Sequence, residues 1–251
     1  MDHPRPALSV VIPAYREQAR IGALLAHLAR IPAPGGPSAG SVEILVVDGD
    51  PEQATLAALR EGADTAGVKG LASAKGRARQ MNAGAAAARG DVLLFLHADT
   101  RLPLDAFARI EHALAPETGD TGGGVICGGA FRLRIMPESG PPGPGLRFIA
   151  WAANLRSRLT RAPYGDQAIF LRRDCFAAVG GFADIPLMED LELMTRLRRS
   201  GRRIRLLSAC ASTSARRWEA EGLLFCTARN VLLRALYHLG VGPQRLARFY
   251  T

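Results

Sequence analysis

The sequence predicts an α/β protein built on a mostly parallel sheet that helices cover on both faces. Short apolar runs rich in β-branched residues alternate with helical repeats through the first hundred residues. The strand-like runs are apolar throughout, which is typical of strands buried on both faces, and the β-α-β-α order calls for crossover helices. A length of 251 residues fits one large domain.

The first half of the chain gives four strands and three helices in alternation. Leucine and isoleucine at helical spacing predict the first helix, and an alanine-rich run ending in Arg89 and Gly90 predicts the third. The predicted strands are 8–12, 42–47, 68–72 and 92–96. The predicted helices are 21–31, 51–60 and 75–88, with a Pro/Gly/Ser loop at 32–40 after the first.

The second half is less regular. Strands are predicted at 125–135, interrupted by Gly128 and Gly129, and at 167–171 and 203–207. Helices are predicted at 146–159, 186–200 and 222–239, with an exposed loop at 137–145. The last helix is expected to pack through Leu223, Leu224, Val231 and Leu236. We therefore divide the chain into a domain at 7–210 and a basic helical arm at 211–251.

Positive charge is concentrated in the last quarter of the chain. The formal net charge is +9, yet residues 196–251 alone hold 12 arginines against two acidic residues. Such a segment is suited to phosphate or to an anionic lipid surface. The alternative is a set of solvated arginines, because Lys69 and Lys75 are the only lysines. Aromatic residues make up 6% and do not alternate with the arginines, which argues against nucleic acid as a partner.

Cysteine usage and hydropathy indicate the cellular setting. The four cysteines are far apart in sequence and include no C-x-x-C pair, so they predict neither a zinc site nor a disulfide framework: Cys127, Cys175, Cys210 and Cys226. No segment has the length and apolarity of a membrane span or an export signal. We therefore expect a protein of the cytoplasm, with peripheral attachment to the inner face of a membrane as the alternative.

Polar residues follow three of the predicted strands, where ligands bind in an open parallel sheet. Glu17 comes after the first strand, Asp48 and Asp50 after the second, and His97 and Asp99 after the fourth. A single strand-end acid more often caps a helix or forms a turn, but here three strand ends agree. Because no G-x-G-x-x-G or G-x-x-x-x-G-K-[ST] loop is present, a divalent cation is the candidate for neutralising a bound phosphate.

Four blocks in order carry a resemblance: SVVIPAYRE, EILVVDGD, GRARQMNAGAAAARGDVLLFLHADT and GGFADIPLMEDLEL. Together they resemble family 2 glycosyltransferases of the GT-A fold over roughly residues 7–210. The GRARQMN and RRW variants are most similar to a bacterial subgroup named for its association with radical-SAM/selenodomain proteins.

The resemblance implies a role for each matching residue. The nucleotide would be bound by residues of the first three blocks: Pro13, Ala14, Tyr15, Glu17, Asp48, Gly76, Arg77, Asn82, His97 and Ala98. Within this set Asp48 would accept a hydrogen bond from the base. Asp99 of the HAD segment would hold the metal, and Asp190 of the Glu189-Asp190 pair would be the catalytic base. The acceptor or the diphosphate would meet Asp166, Gln167, Arg217 and Trp218.

The sequence departs from the family pattern at two positions. His97 stands where the D-x-D motif has its first carboxylate, and an imidazole there suits Mn²⁺ better than Mg²⁺. His97 could instead contact the ribose or diphosphate; as a ligand it would be expected to protonate below about pH 6. In addition, VVDGD lacks the paired acid of the VVDDGS form, and Asp50 is the one candidate to replace it.

The function implied is an inverting transfer of a sugar from a nucleoside-diphosphate sugar, a UDP-sugar by expectation, to a hydroxyl acceptor. Asp190 would remove the acceptor proton, while Mn²⁺ or Mg²⁺ at Asp99 offsets charge on the leaving diphosphate. The acceptor is unknown, and a lipid-linked one would suit a basic arm resting on a membrane. Two alternatives stay open: a nucleotidyltransferase of similar fold, and a non-catalytic protein that binds sugar nucleotides or anionic surfaces.

Overall fold

A computed structural model of the chain describes residues 7–34, 42–62, 67–115 and 126–250. Its strands are β1 (Leu8–Ala14), β2 (Val42–Asp48), β3 (Val68–Ala72), β4 (Val92–Phe95), β5 (Thr100–Arg101), β6 (Ile126–Met136), β7 (Phe170–Arg172) and β8 (Arg203–Ser214). Its helices are α1 (Gln18–Leu28), α2 (Ala54–Glu61), α3 (Arg77–Ala87), α4 (Ala106–Leu114), α5 (Pro144–Thr160), α6 (Arg173–Ala178), α7 (Glu189–Arg199), α8 (Arg216–Glu221), α9 (Leu223–His238) and α10 (Pro243–Ala247). A single 3₁₀ turn, Gly165–Gln167, precedes β7.

The described strands form one sheet in the order β3-β2-β1-β4-β7-β6-β8-β5. The pairs β2/β3, β1/β2, β1/β4 and β6/β8 are parallel, whereas β4/β7, β6/β7 and β5/β8 are antiparallel. The sheet is therefore parallel in its first half and mixed in its second. Two large apolar clusters cover its two faces, which confirms the α/β class with helices on both sides.

The first half of the chain follows the predicted alternation. Strand β3 has the predicted bounds, and the other three strands and three helices differ from the predicted bounds by a few residues. The loop predicted at 32–40 lies mostly outside the described residues. Strands β1, β2 and β4 end beside one another because their pairing is parallel and in register, so their carboxyl ends lie at one edge of the sheet.

A buried carboxylate joins the amino-terminal ends of β1 and β2. Glu43 accepts hydrogen bonds from the Ser9 hydroxyl at 2.6 Å, from the Gly90 amide at 3.1 Å and from Lys69 at 3.2 Å, and also from the Arg89 amide. Burial opposes the charge on Glu43, but these donors outweigh burial and lower its pKa. The ionised form of Glu43 is thus the one that stabilises the fold.

Helix α3 packs closely on β1 and β2. Gly84 faces the side chains of Val11 and Val47, and a Cβ there would collide with Val11. One turn earlier, the buried side-chain amide of Gln80 donates to the Val47 carbonyl at 2.9 Å and to the Ala14 carbonyl at the end of β1. The small residue and the amide together seat the start of α3 at the carboxyl edge of the sheet.

The second half differs more from prediction. Strand β6 continues through Gly128 and Gly129, with a register irregularity against β8 between Ile126 and Gly128. A side chain at Gly128 would meet the Phe170 carbonyl of the neighbouring strand. The strand predicted at 167–171 is wrong at its start, since Gly165–Gln167 form the 3₁₀ turn and the strand begins at Phe170. Helix α4 was not predicted, and β8 extends seven residues beyond 207 to Ser214.

A disulfide joins Cys127 of β6 to Cys175 of α6. The prediction of no disulfide is wrong for this pair, because β6 and β7 are adjacent strands and α6 follows β7 directly. Their Cα atoms are 5.8 Å apart although 48 residues separate them in sequence. Cys210 and Cys226 are free thiols.

The C-terminal helices pack on the body through a small cluster. Leu233 of α9 and Leu246 of α10 are buried with Leu187, whereas Leu224 is 84% exposed and Val231 is also exposed. The predicted packing through Leu224 and Val231 is therefore wrong, because Cys226 and Leu233 lie on the buried face of α9 instead. Strand β8 crosses position 210, where the sequence-based division was placed. Among the described residues, no helix has both the length and the apolarity of a membrane span.

Candidate active site

The 3₁₀ turn brings the predicted base and the predicted metal-binding histidine together. The Gly165 amide donates to Asp190 Oδ2 at 2.7 Å. A Cβ placed on Gly165 would lie 2.8 Å from His97 Nε2 and 3.6 Å from that same Asp190 oxygen. The end of β4, the start of α7 and this turn therefore meet at one point, and glycine at 165 leaves room for both side chains.

The acidic pair at the start of α7 divides its contacts. Glu189 is 2% exposed and its Oε1 accepts a hydrogen bond from Arg77 at 3.2 Å. Burial raises the pKa of Glu189, and Asp190 adds to this while Arg77 opposes it. Burial works against the charge of Arg77, but Glu189, Asp190 and Asp99 raise its pKa overall. Glu189 is therefore occupied by Arg77, and Asp190 is the member of the pair that faces the turn.

Asp99 is paired with an arginine that the sequence-based site did not include. Arg216 of α8 approaches Asp99 Oδ2 at 3.1 Å and Glu17 Oε1 at 2.7 Å. This arginine links the loop after β1 to the loop after β4. The RRW segment predicts an arginine at this site, but the residue named was Arg217, the neighbour of Arg216.

Arg217 points to the C-terminus of the chain. Its guanidinium donates to the Tyr250 hydroxyl and lies 4.7 Å from that ring's centroid. Burial lowers the pKa of Arg217, and the nearby charge of Arg77 adds to this. The next residue, Trp218, donates from its indole nitrogen to Thr227 at 3.2 Å and packs against the β6–α5 cluster. Trp218 thus fixes α8 and α9.

His97 has a buried nitrogen that makes no hydrogen bond. Its Nε2 is unpartnered among the described residues. Burial, with Arg77, Arg217 and Arg216 close by, lowers the pKa of His97 to about 3. The expectation that it protonates near pH 6 is wrong, because three arginines disfavour a further positive charge. The imidazole is therefore neutral at physiological pH and retains a lone pair.

Asp166 lies in the same 3₁₀ turn, directly after Gly165. Its Oδ1 is buried without a hydrogen bond in the described part of the chain. Burial, followed by the charge of Asp190, raises the pKa of Asp166 to about 6. Gln167 is nearly inaccessible; its amide accepts from Ser157 at 2.7 Å and donates to the Phe131 carbonyl at 3.0 Å. Gln167 holds the turn in place, while Asp166 has a free oxygen.

The residues expected at the nucleotide divide into structural and accessible ones. Asp48 has no exposed surface, and its oxygens accept the amides of Asp50 at 2.9 Å, Thr55 at 3.0 Å and Leu56 at 3.2 Å. The three amides occupy three of about four acceptor positions on the carboxylate, and it is burial that keeps the remaining one from a base in this conformation. Asp50 is also buried, with Arg16 3.6 Å away as its ion-pair partner.

Other predicted nucleotide residues shape the same edge. Tyr15 is partly exposed and has Lys75 4.4 Å above its ring. Asn82 is bonded through both ends of its amide to the Phe182 backbone, at 2.8 and 2.9 Å, so it connects α3 to the loop before α7. The end of β1 is formed by Pro13 and Ala14, and Ala98 lies three residues after the end of β4. Gly76, at φ +138°, directly precedes α3.

The site offers only a few side-chain ligands for a divalent metal. No group of three His, Cys, Asp or Glu side chains is gathered to hold a metal ion among the described residues. Asp99 and His97 nevertheless offer a carboxylate and a neutral imidazole with an unpartnered nitrogen. These two donors fit a metal whose remaining ligands come from a diphosphate and water.

Known structures share this architecture. A mannosyltransferase from Pyrobaculum calidifontis, solved with GDP-Man and Mn²⁺, is similar with a TM-score of 0.62 and 20% identity over 83% of this chain and 56% of that one. S. aureus TarS 1-349, solved with UDP-GlcNAc, has a TM-score of 0.57 and 19% identity over 82% of this chain and 58% of that one. This chain spans less than two thirds of either structure. At such identities the likeness shows the fold, which is GT-A.

The sequence itself carries a family signature. No curated protein matches the chain. The family model for glycosyl transferase family 2 matches residues 9–176, which include β1, β2, β4 and the Gly165–Gln167 turn. The chain therefore belongs to glycosyl transferase family 2.

Proposed function

We propose that the protein transfers a sugar from a UDP-sugar to a hydroxyl acceptor with inversion at the anomeric carbon. The observation that carries the proposal is the meeting of Asp190 and His97 at Gly165, with Asp99 and the arginines Arg77 and Arg216 around them. A base on one side and concentrated positive charge on the other are what a one-step displacement of a diphosphate requires.

Asp190 is the proposed general base. One of its oxygens accepts the Gly165 amide and the other accepts its own helix's Leu191 amide at 2.7 Å, so the carboxylate is held in a fixed orientation. Glu189 supports it by holding Arg77. A carboxylate held in this orientation can take the acceptor proton, which matches direct attack by the acceptor oxygen.

Positive side chains are proposed to neutralise the leaving diphosphate. Arg77 and Arg216, which pair with Glu189 and Asp99, are the guanidinium groups proposed for this role, and the charge of Arg217 also acts on His97. Guanidinium groups donate paired hydrogen bonds to phosphate oxygens. Asp99 and His97 would hold Mn²⁺ or Mg²⁺, which when bound supplies further positive charge to the diphosphate.

The remaining strand-end residues are proposed to bind the nucleoside. Pro13, Ala14 and Tyr15 would line the base, and Glu17 would approach the ribose from its pair with Arg216. Asp48 would act through the loop that it orders. Gly76 and Asn82 would position the start of α3, and Ala98 would allow close approach of backbone to nucleotide.

Calorimetry with UDP and GDP tests the donor side. We expect UDP to bind in the presence of Mn²⁺ and to bind more weakly with a chelator, and Asp99→Ala to lose the metal-dependent part with its melting temperature retained. Equal affinity with and without the chelator would refute the metal's role, and the absence of nucleotide binding would refute the proposal. Release of UDP from a UDP-sugar, rather than of pyrophosphate, separates sugar transfer from nucleotidyl transfer.

The basic arm is proposed to contact an anionic membrane, which would place the enzyme at the inner face of that membrane. Leu224 and Phe225 of α9 are exposed, as are Phe148 and Trp151 of the adjacent helix α5. The same arm exposes Arg245 and Arg248, and exposed apolar side chains together with exposed arginines favour an anionic lipid surface, where each near-surface arginine contributes about 1 kcal/mol. This arrangement suits a lipid-linked acceptor.

Sedimentation with phosphatidylglycerol vesicles tests the membrane contact. We expect the protein to pellet at low salt and to be released at about 0.5 M salt. Replacing both Leu224 and Phe225 by serine should weaken pelleting, whereas Leu104→Ser, an exposed leucine outside α5 and α9, should not. Protein that stays in the supernatant at low salt would refute the contact.

A further inference from the structure

Two arginines, one on α5 and one on α9, form no ion pair with an acidic side chain among the described residues. Arg156 of α5 lies with its guanidinium carbon 3.3 Å from the ring centroid of Tyr164, and Arg234 of α9 donates to the Tyr164 hydroxyl at 3.3 Å. No carboxylate of the described residues lies within ion-pair distance of either guanidinium. Tyr164 is therefore flanked by two positive charges on neighbouring elements.

Arg156 retains unused hydrogen-bonding capacity. Its terminal nitrogen donates to Ser157 at 3.0 Å, but its Nε is buried and makes no hydrogen bond within the described chain. Burial lowers the pKa of Arg156, and Arg234 acts in the same direction. A positive charge held in this way is stabilised by an anion that approaches from outside the protein.

The position of this cluster relates it to the proposed base. Tyr164 directly precedes Gly165, whose amide holds Asp190, and Asp166 with its free Oδ1 follows. The charge of Asp166 influences Arg156, so the arginines lie beside the acceptor side of the proposed site. The sequence does not predict Arg156 and Arg234 as site residues, because both lie outside the four family-like blocks.

We infer that Arg156 and Arg234, with the Tyr164 hydroxyl between them, bind an anionic group of the acceptor, a phosphate or a carboxylate near the hydroxyl that receives the sugar. This inference rests on the proposed function and specifies the class of acceptor. The exposed Val231 lies about one turn before Arg234 on the same face of α9. An acceptor with an apolar portion next to its anionic group therefore fits this surface.

Calorimetry on the UDP-saturated protein tests the inference, because UDP occupies the arginines proposed for the diphosphate. Three probes that share a hydroxyl-bearing skeleton are compared: glycerol 3-phosphate, glycerate and glycerol. We expect the phosphate, the carboxylate or both to bind with a dissociation constant of about 10 mM or lower, and glycerol not to bind. Equal binding of all three, or of none, would overturn the inference.

Substitutions assign the binding to the two arginines. Arg156→Gln and Arg234→Gln should each weaken anion binding about tenfold or more, and Arg156→Lys should retain part of it. The matched control is Arg147→Gln, an exposed arginine of the same helix that makes no contact with Tyr164. Melting curves identify any variant that fails to fold. If Arg156→Gln fails to fold, Arg156→Lys is compared with the unmodified protein in its place.

Nucleotide binding is measured separately for every variant, so that the two proposals can fail independently. Unchanged anion binding in both glutamine variants overturns the inference and leaves the donor site standing. If the protein binds no UDP, the probes are titrated without nucleotide. In that case the absence of UDP binding refutes the glycosyltransferase proposal. Loss of anion binding in Arg156→Gln but not in Arg147→Gln would still support the anionic site.

Discussion

Removing Arg77 should destabilise the protein more than removing its partner Glu189. Arg77→Met leaves the Glu189 carboxylate, which is 2% exposed, without its hydrogen-bonded counter-charge. Glu189→Gln leaves Arg77 with 39% of its side chain exposed and with Asp190 and Asp99 still nearby. The cost of an unpaired buried carboxylate therefore applies to the first variant alone.

The magnitude follows from the burial of the two groups. Breaking a buried ion pair by removing one partner costs about 3–5 kcal/mol. Because water reaches Arg77, we expect a cost at or just below the lower end of that range, about 2–3 kcal/mol for Arg77→Met, and below about 1 kcal/mol for Glu189→Gln. For a chain of this length the first value corresponds to a melting-temperature decrease of roughly 4–12 °C.

Acidity should reduce the cost of Arg77→Met. Burial already raises the pKa of Glu189, and loss of Arg77 removes the charge that opposed this rise. A protonated Glu189 needs no counter-charge, so the deficit of Arg77→Met should be larger at pH 8 than at pH 5. Adding Glu189→Gln to Arg77→Met should restore about 1–2 kcal/mol.

Chemical denaturation of the four proteins at both pH values measures these differences. Arg79→Met is the matched control, since Arg79 lies two residues away and pairs with Asp184 at the surface; it should cost less than about 1 kcal/mol. Equal costs for Arg77→Met and Glu189→Gln, or a deficit that does not vary with pH, would refute the reasoning.

Three further predictions concern other sites. Asp190→Asn should lower turnover by about 10²–10⁴ with UDP affinity changed less than about tenfold, and near-normal UDP release would move the base to another carboxylate. Gly165→Ala should displace His97, whose Nε2 would lie 2.8 Å from the new Cβ, and so reduce turnover; Gly143→Ala, which meets open space, should not. Glu43→Gln should destabilise the fold by about 1–3 kcal/mol at pH 7. Because the folded pKa of Glu43 is lowered, that deficit should vanish as the pH falls below about 4, and a constant deficit in denaturation curves would contradict this.

The regular part of the fold was predictable because local patterns determine it. Buried parallel strands such as β4 are apolar throughout, and α3 is a continuous alanine-rich run. Helix α4 was missed although Phe107, Ile110 and Leu114 recur at helical spacing. The end of β8 was missed because it depends on a partner distant in sequence: Thr100 and Arg101 pair with Thr213 and Ser212. The Cys127–Cys175 disulfide is likewise set by strand order.

The site shows the same division. Asp99 and Asp190 follow a strand or begin a helix, so their motifs indicated them. Arg216 and Arg217 are neighbours of the same residue type, and only the geometry of α8 directs the first to Asp99 and the second to Tyr250. The neutrality of His97 could not be predicted either, since it results first from burial and then from arginines 20 residues before and more than 100 residues after it in the chain.

The close packing of α3 bears on how family motifs are interpreted. The block GRARQMNAGAAAARG contains Arg77, which forms an ion pair with Glu189. It also contains Gly84, which sets the distance between α3 and the strands β1 and β2. A motif of this kind therefore combines two kinds of information, one chemical and one purely spatial. A chain that kept Gly84 and its alanines but lost Arg77 would still be recruited to the family by similarity searches. A match to such a block therefore supports an activity only where the charged residues, here Arg77, match as well as the small ones.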